Sequence, residues 1–251
     1  MSTQRQRICF LQGLLTNKDQ LHLFDYVHRL DVTDWDHLSQ QQCCMNPTPK
    51  TLELYHPNNS SSGESESARS SSSIYLNPND ETNNIVIELV KKVINNINNN
   101  NNNNNSVLVV GKQQQQSIQS ISMAVIRYCP KGTHPSIGSC FPPHIDHCND
   151  GSWVVLFSLG GCIANFHVKT PVMKQTKTYR MQSGDVIVFD PSSEAAILHG
   201  VEVESVEKIE DDEEEDCLLV RSSWTKLKLE EEKFQMFCCS RFCVQCRVSF
   251  H

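Results

Sequence analysis

The stretch from Cys140 to Gly151, CFPPHIDHCNDG, places His144, Asp146 and His147 within four positions. Imidazole and carboxylate groups are ligands for divalent transition metals. His144 and Asp146 are two apart, and on an extended strand residues i and i+2 share a face, so both side chains can converge on one ion. His147 points the opposite way if the strand continues, and is set aside. A third ligand has to arrive from a distant strand. His199, in ILHGV, is the best candidate. Two imidazoles and one carboxylate on one face form a facial triad of the kind that holds ferrous iron, leaving three positions open for cosubstrate and oxygen. The alternative is ordinary packing, since any chain with 10 histidines yields an HxD pair by chance.

Such ligands need a rigid scaffold that brings residues 144 and 199 together. After Ser117 the chain supplies short β-branched or aromatic segments: SIQSISMAVIRYC, SWVVLFSLG, CIANFHVK, KTYRMQ, GDVIVFD, AAILHGVEVESV and CLLVRSSWTKLKL. Gly, Pro, Asn or Asp separates most of them. Seven or so short strands at regular spacing predict an all-β barrel or sandwich. Arg221, on the last of these segments, is costly to bury unless it meets a carboxylate, which a dicarboxylic cosubstrate would supply in bidentate geometry; taken alone, a guanidinium at the strand edge is the preferred reading.

The remaining sequence carries less. Asp19 to Leu30 has Leu23, Phe24, Val27 and Leu30 at helical spacing, and Glu81 to Ile97 repeats the pattern. Residues 60–73 are Ser-rich, 98–105 are all Asn and 113–116 are all Gln; these tracts read as disordered insertions without folding information. The acidic block EKIEDDEEED, residues 207–216, reads as a solvated loop. The organisation expected is an N-terminal helical region (1–58) packing on the core, low-complexity insertions with one helix (59–116), a β domain (117–230) and a Cys-rich tail (231–251).

With 22 basic and 29 acidic residues the formal charge is -7, which argues against a strongly electropositive nucleic-acid surface. No apolar run of membrane-spanning length occurs, and MSTQRQRICFLQGLL does not read as a secretory signal. The 12 cysteines are scattered through a long chain and are expected to be reduced thiols of an intracellular protein, cytoplasmic or nuclear, acting as a monomer. In FCCSRFCVQCRVSFH, Cys239, Cys243 and Cys246 have spacings a zinc ion uses, but without a second CxxC a frayed terminus is preferred.

In order, RYCPKG, HID, SLGGCIANFHV, MQSGDVIVFDPSSEAAILHGV and VRSSWTKL resemble the AlkB-like family of iron(II)- and 2-oxoglutarate-dependent dioxygenases, over about residues 120–229. The resemblance implies a mainly β fold, the double-stranded β-helix or jelly roll, with the N-terminal helices outside. It implies iron held by His144, Asp146 and His199, and 2-oxoglutarate bound by Arg221 with Tyr128 and Ser223. Its cosubstrates would be 2-oxoglutarate and molecular oxygen. The reaction implied is oxidation of a C–H bond, an N-methyl group among the options, on an unidentified nucleic acid or protein. Gly184 and Asp185 fit a tight turn where glycine is a backbone requirement. Departures are Ile126 where nucleic-acid repair members carry Asn, Ser223 where Asn is usual, and Leu227 where a second Arg is expected six residues after the first. They motivate the alternative of a catalytically silent jelly-roll binding module.

Overall fold

The computed structural model describes residues 7–29, 50–55, 82–134, 137–146, 152–204 and 231–250, apart from 104–117. The described elements are β1 (Ile8–Leu11), α1 (Asn17–Arg29), β2 (Lys50–Tyr55), α2 (Thr82–Asn103), β3 (Ile118–Tyr128), β4 (Cys140–Ile145), β5 (Ser152–Leu159), β6 (Ala164–Lys169), β7 (Lys177–Met181), β8 (Val186–Phe189), β9 (Leu198–Val203), α3 (Glu231–Cys238) and β10 (Arg241–Phe250). The strands form two antiparallel sheets, ordered β1-β8-β5-β10-β3-β2 and β4-β9-β6-β7. From β3 to β10 the chain passes repeatedly between them, which is the winding of a jelly roll. No described helix is long and apolar enough to cross a membrane.

Strand alternation gives the large sheet two apolar faces. One face, with Ile126, Tyr128, Val154, Leu156, Ile187, Phe189 and Cys243, meets Phe166, Val168 and Val201 of the small sheet. The other, with Met123, Val125, Phe157, Phe242, Val244 and Val248, is covered by the helices. Helix α1 contributes Leu21, Leu23, Phe24 and Val27, and α2 contributes Val86, Leu89, Val90, Val93 and Ile97. Each set repeats at three or four residues, the condition for one buried helical face. Phe24 joins the layers, its ring 5.1 Å from Phe237 and 5.2 Å from Phe242. At the start of α1, Asp19 N–H donates to Thr16 Oγ1 (3.2 Å) and Thr16 N–H to Asp19 Oδ2 (3.0 Å), a reciprocal cap. Helix α2 runs into the asparagine tract as far as Asn103. A helix already nucleated by its packed first turns propagates through residues that would not start one.

Two expected boundaries are corrected. The N-terminal region is not only helical, because β1 pairs with β8 and β2 with β3 at the two edges of the large sheet. The β domain does not stop at residue 230, because β10 lies between β3 and β5 in the middle of that sheet. Thus Arg241–Phe250 is an interior strand of the roll and not a frayed tail. Cys243 faces the lumen while Cys246 faces the helices, so the tail thiols cannot surround one ion.

The β5–β6 turn, SLGG, shows why two glycines are needed. A Cβ on Gly160 (φ +106°) would stand 2.2 Å from the Ser240 carbonyl oxygen, and one on Gly161 2.4 Å from that of Cys238. Both obstacles are backbone, at the α3–β10 junction. Gly160→Ala is therefore expected to lower stability by roughly 1–3 kcal/mol from backbone strain and a similar amount from overpacking, read as a urea midpoint shift. Gly184 (φ +89°) begins the GD turn. There Asp185 accepts the amides of Gly13 and Gln182, each at 2.7 Å, tying β8 to the segment before α1.

Candidate metal centre

His144 belongs to β4 and His199 to β9, and the two are cross-strand partners in the small sheet. The chain between Phe141 and His144 carries Pro142 and Pro143, which lack amide hydrogens. The β4–β9 ladder accordingly breaks register there. Gly200 stands opposite: a Cβ on it would lie 3.0 Å from both the Phe141 carbonyl oxygen and the Pro143 nitrogen. The HG pair therefore allows the proline bulge to lie close over β9.

Both histidines are oriented by the same device. His144 Nδ1 lies 3.1 Å from the Pro142 carbonyl oxygen, and His199 Nδ1 lies 3.1 Å from that of Ile197. A carbonyl only accepts, so each Nδ1 carries the hydrogen and each Nε2 is left for a ligand. Nε2 of His144 is 3.6 Å from Asp146 Oδ1, and Nε2 of His199 is 4.0 Å from Asp146 Oδ2. One ligand atom from each of the three residues lies within 4.8 Å of the others, and among the described residues no other three His, Cys, Asp or Glu meet this way. Three neutral or anionic donors converging from two strands fit a divalent ion. His147 lies outside the described residues.

Burial is uneven. Asp146 and His199 are buried, whereas His144 is 36% exposed on its side chain. The His199 ring is walled by Phe189 (4.7 Å between centroids) and lies nearly parallel to Phe166 (5.7 Å), so these core aromatics also line the site. Trp153 instead packs on the helix side of the large sheet. Burial lowers the pKa of His199 and outweighs the Ile197 hydrogen bond, keeping the imidazole neutral as ligation requires. Burial pushes Asp146 upward, but the His144 hydrogen bond and the fields of His199 and Arg247 hold it below its ordinary value, an ionised carboxylate. For His144, burial is outweighed by the hydrogen bonds to Asp146 and Pro142, and its pKa rises.

The lumen-facing row of β10 was missed in the sequence reading. Arg241, Cys243, Gln245 and Arg247 alternate along one face. Arg247 donates to Asp146 Oδ1 at 3.3 Å and Gln245 to Oδ2 at 3.5 Å. Arg241, opposite Tyr128 across the strand pair, is 2% exposed. Its guanidinium donates to the carbonyls of Gly160 (3.3 Å), Cys162 (3.0 Å) and Gln182 (2.8 Å) and to Ser158 Oγ. Burial lowers its pKa to about 10, partly offset by the more distant Asp185, and it remains charged at neutral pH. No described carboxylate is within ion-pair distance of it. Arg221, Ser223 and Leu227 lie outside the described residues. The signal for β10 was present: Phe242, Val244, Cys246, Val248 and Phe250 alternate with polar residues at period two.

No family model and no curated protein matches this sequence. Among solved structures the chain is similar to a 2OG-Fe(II) oxygenase family oxidoreductase from Burkholderia pseudomallei, at 16% identity over 56% of this chain and 48% of that one (TM-score 0.31). It thus spans about half the length of that protein. It is also similar to OsALKBH1, at 17% identity over 100% of this chain and 99% of that one (TM-score 0.48). A third is the non-heme alpha ketoglutarate dependent epimerase SnoN from nogalamycin biosynthesis, at 6% identity over 98% of this chain and 79% of that one (TM-score 0.50). The likeness to SnoN shows a shared fold, in keeping with the double-stranded β-helix that the resemblance implies.

Proposed function

We propose that this chain is an iron(II)- and 2-oxoglutarate-dependent dioxygenase of AlkB-like type that oxidises a C–H bond of its substrate. The observation that carries the reading is the convergence of His144, Asp146 and His199, with both Nε2 atoms turned toward the carboxylate. His144, Asp146 and His199 would hold the iron(II), which when bound would supply oxygen activation coupled to conversion of 2-oxoglutarate to succinate and carbon dioxide. The protein fixes the two imidazoles as Nδ1–H tautomers, keeps Asp146 ionised and shields His199 from water.

A second feature supports 2-oxoglutarate in particular. Arg241 is a buried cation with no described carboxylate within ion-pair distance, and its positive charge at that end of the lumen would favour a dicarboxylic acid. We assign to Arg241 the role first given to Arg221. Arg247 then supplies the second arginine six residues on, which the resemblance calls for and Leu227 does not. Tyr128, buried on the neighbouring strand, completes that end of the lumen. At the positions where repair enzymes carry asparagines stand Ile126 and, counted from Arg241, Cys243. The shell around the cosubstrate is therefore more apolar than the resemblance implies. That observation favours the one alternative, a jelly roll that binds metal without turnover.

The test is anaerobic addition of iron(II) and 2-oxoglutarate to the purified chain, then air. A weak visible charge-transfer band and uncoupled succinate, both absent in His199→Ala, are expected. Iron binding by the wild type with neither band nor succinate would replace the enzyme by the binding module. Methylated oligonucleotides and protein extracts in the same assay separate the two substrate classes.

A further inference from the structure

Asp146 stands one residue past β4, whose last ladder pair is Ile145 with Leu198. Among the described pairings none holds its backbone, and a carboxylate on one rotatable arm must be oriented by its neighbours. Apart from the two ligand histidines, two described donors reach it, both from β10 in the opposite sheet. Arg247 meets Oδ1, but its side chain is 48% exposed, so water and salt screen the contact. Gln245 is deeper, between Cys243 and Arg247 on the lumen face, and meets Oδ2. Its backbone is paired on both sides, with Ala124 and with Leu156, so its Cα cannot drift.

We propose that Gln245 is a positioning residue for the metal-binding carboxylate, an inference that rests on the metal reading above. Charge matters here as well as reach. A carboxylate that must bind a cation needs a partner that holds it without competing for it. A second arginine or lysine at 245 would neutralise Asp146 and repel the ion. An uncharged amide orients the oxygen and adds no repulsion. Arg247 sets the carboxylate's charge environment from the solvent side, while Gln245 fixes its rotation from within.

The full-length chain titrated anaerobically with cobalt(II), whose visible bands report ligand geometry, tests this. Gln245→Met keeps the volume and removes the donor. It is expected to weaken cobalt binding about tenfold, the usual scale for losing a group that orients a ligand, and to alter the band pattern. That loss should be equal at low and high salt, whereas the effect of Arg247→Met should shrink as salt rises. Gln245→Asn, with its amide one methylene short of reach, should lose affinity as well. Wild-type affinity and bands in Gln245→Met overturn the proposal. So does a loss that tracks a fall in the metal-free melting temperature and is absent in Gln245→Asn. If the wild-type chain binds cobalt no better than His199→Ala does, the metal reading itself fails, a result distinct from either.

Discussion

Asp146→Ala will abolish iron retention while leaving the sheets folded. The carboxylate would be the anionic ligand of the three, and it lies beyond the described β4–β9 ladder, so truncating its side chain leaves that ladder's backbone hydrogen bonds in place. The loss in affinity is expected to exceed about 100-fold, because removing a ligand goes beyond the 10–100-fold typical of losing its support. Iron content after desalting measures it, and far-UV circular dichroism should stay unchanged. A second readout needs no metal. The His144 pKa is raised by Asp146 against burial and Arg247, so in Asp146→Ala its titration, followed by NMR, should move down toward or below the ordinary value of 6.5. Global unfolding on this substitution would make the residue structural instead.

The second large effect is expected at Arg241. Its guanidinium holds together the β5–β6 turn through the Gly160 and Cys162 carbonyls, the β7–β8 turn through Gln182, and β5 through Ser158. These acceptors are mostly backbone and cannot be substituted away. Arg241→Met therefore removes the described donor from the buried Gly160 and Cys162 carbonyls and leaves Gln182 O only the Asp185 amide, and destabilisation of about 3–5 kcal/mol is expected, the range for breaking a buried charged network. The urea midpoint measures it. Arg241→Lys keeps a charge without the fork and should recover only part. In a background that stays folded, 2-oxoglutarate affinity should fall far more than iron affinity. Arg241 is four residues from Gln245, roughly 13 Å along the strand, and does not touch the ligands. An equal fall in both affinities would remove Arg241 from the cosubstrate site.

The two substitutions separate what each end of the lumen does. At one end, two imidazoles and a carboxylate come from the small sheet. At the other, a cation comes from the large sheet. Strand β10 runs between them, with Arg241 bonded at one end and Gln245 and Arg247 at the other.

Much of this was legible in the amino-acid sequence. The i, i+2 pair of His144 and Asp146 is local, because a strand's period of two fixes which side chains share a face whatever the strand packs against. The strand segments from 117 to 203, the glycine of the GD turn and the α1 periodicity are likewise local, set by turn chemistry and alternation. His199 could be named as a candidate third ligand, but nothing within ILHGV says what lies across from it; its pairing with His144 is a long-range fact. That Arg241 faces the lumen is visible only in three dimensions. Arg221 and Arg241 both sit in apolar surroundings in the sequence. The pairing of β10 between β3 and β5, some 110 and 90 residues earlier in the chain, is what turns Arg241 inward. Local pattern writes the faces of each strand; long-range pairing, through the burial it permits, chooses which faces meet.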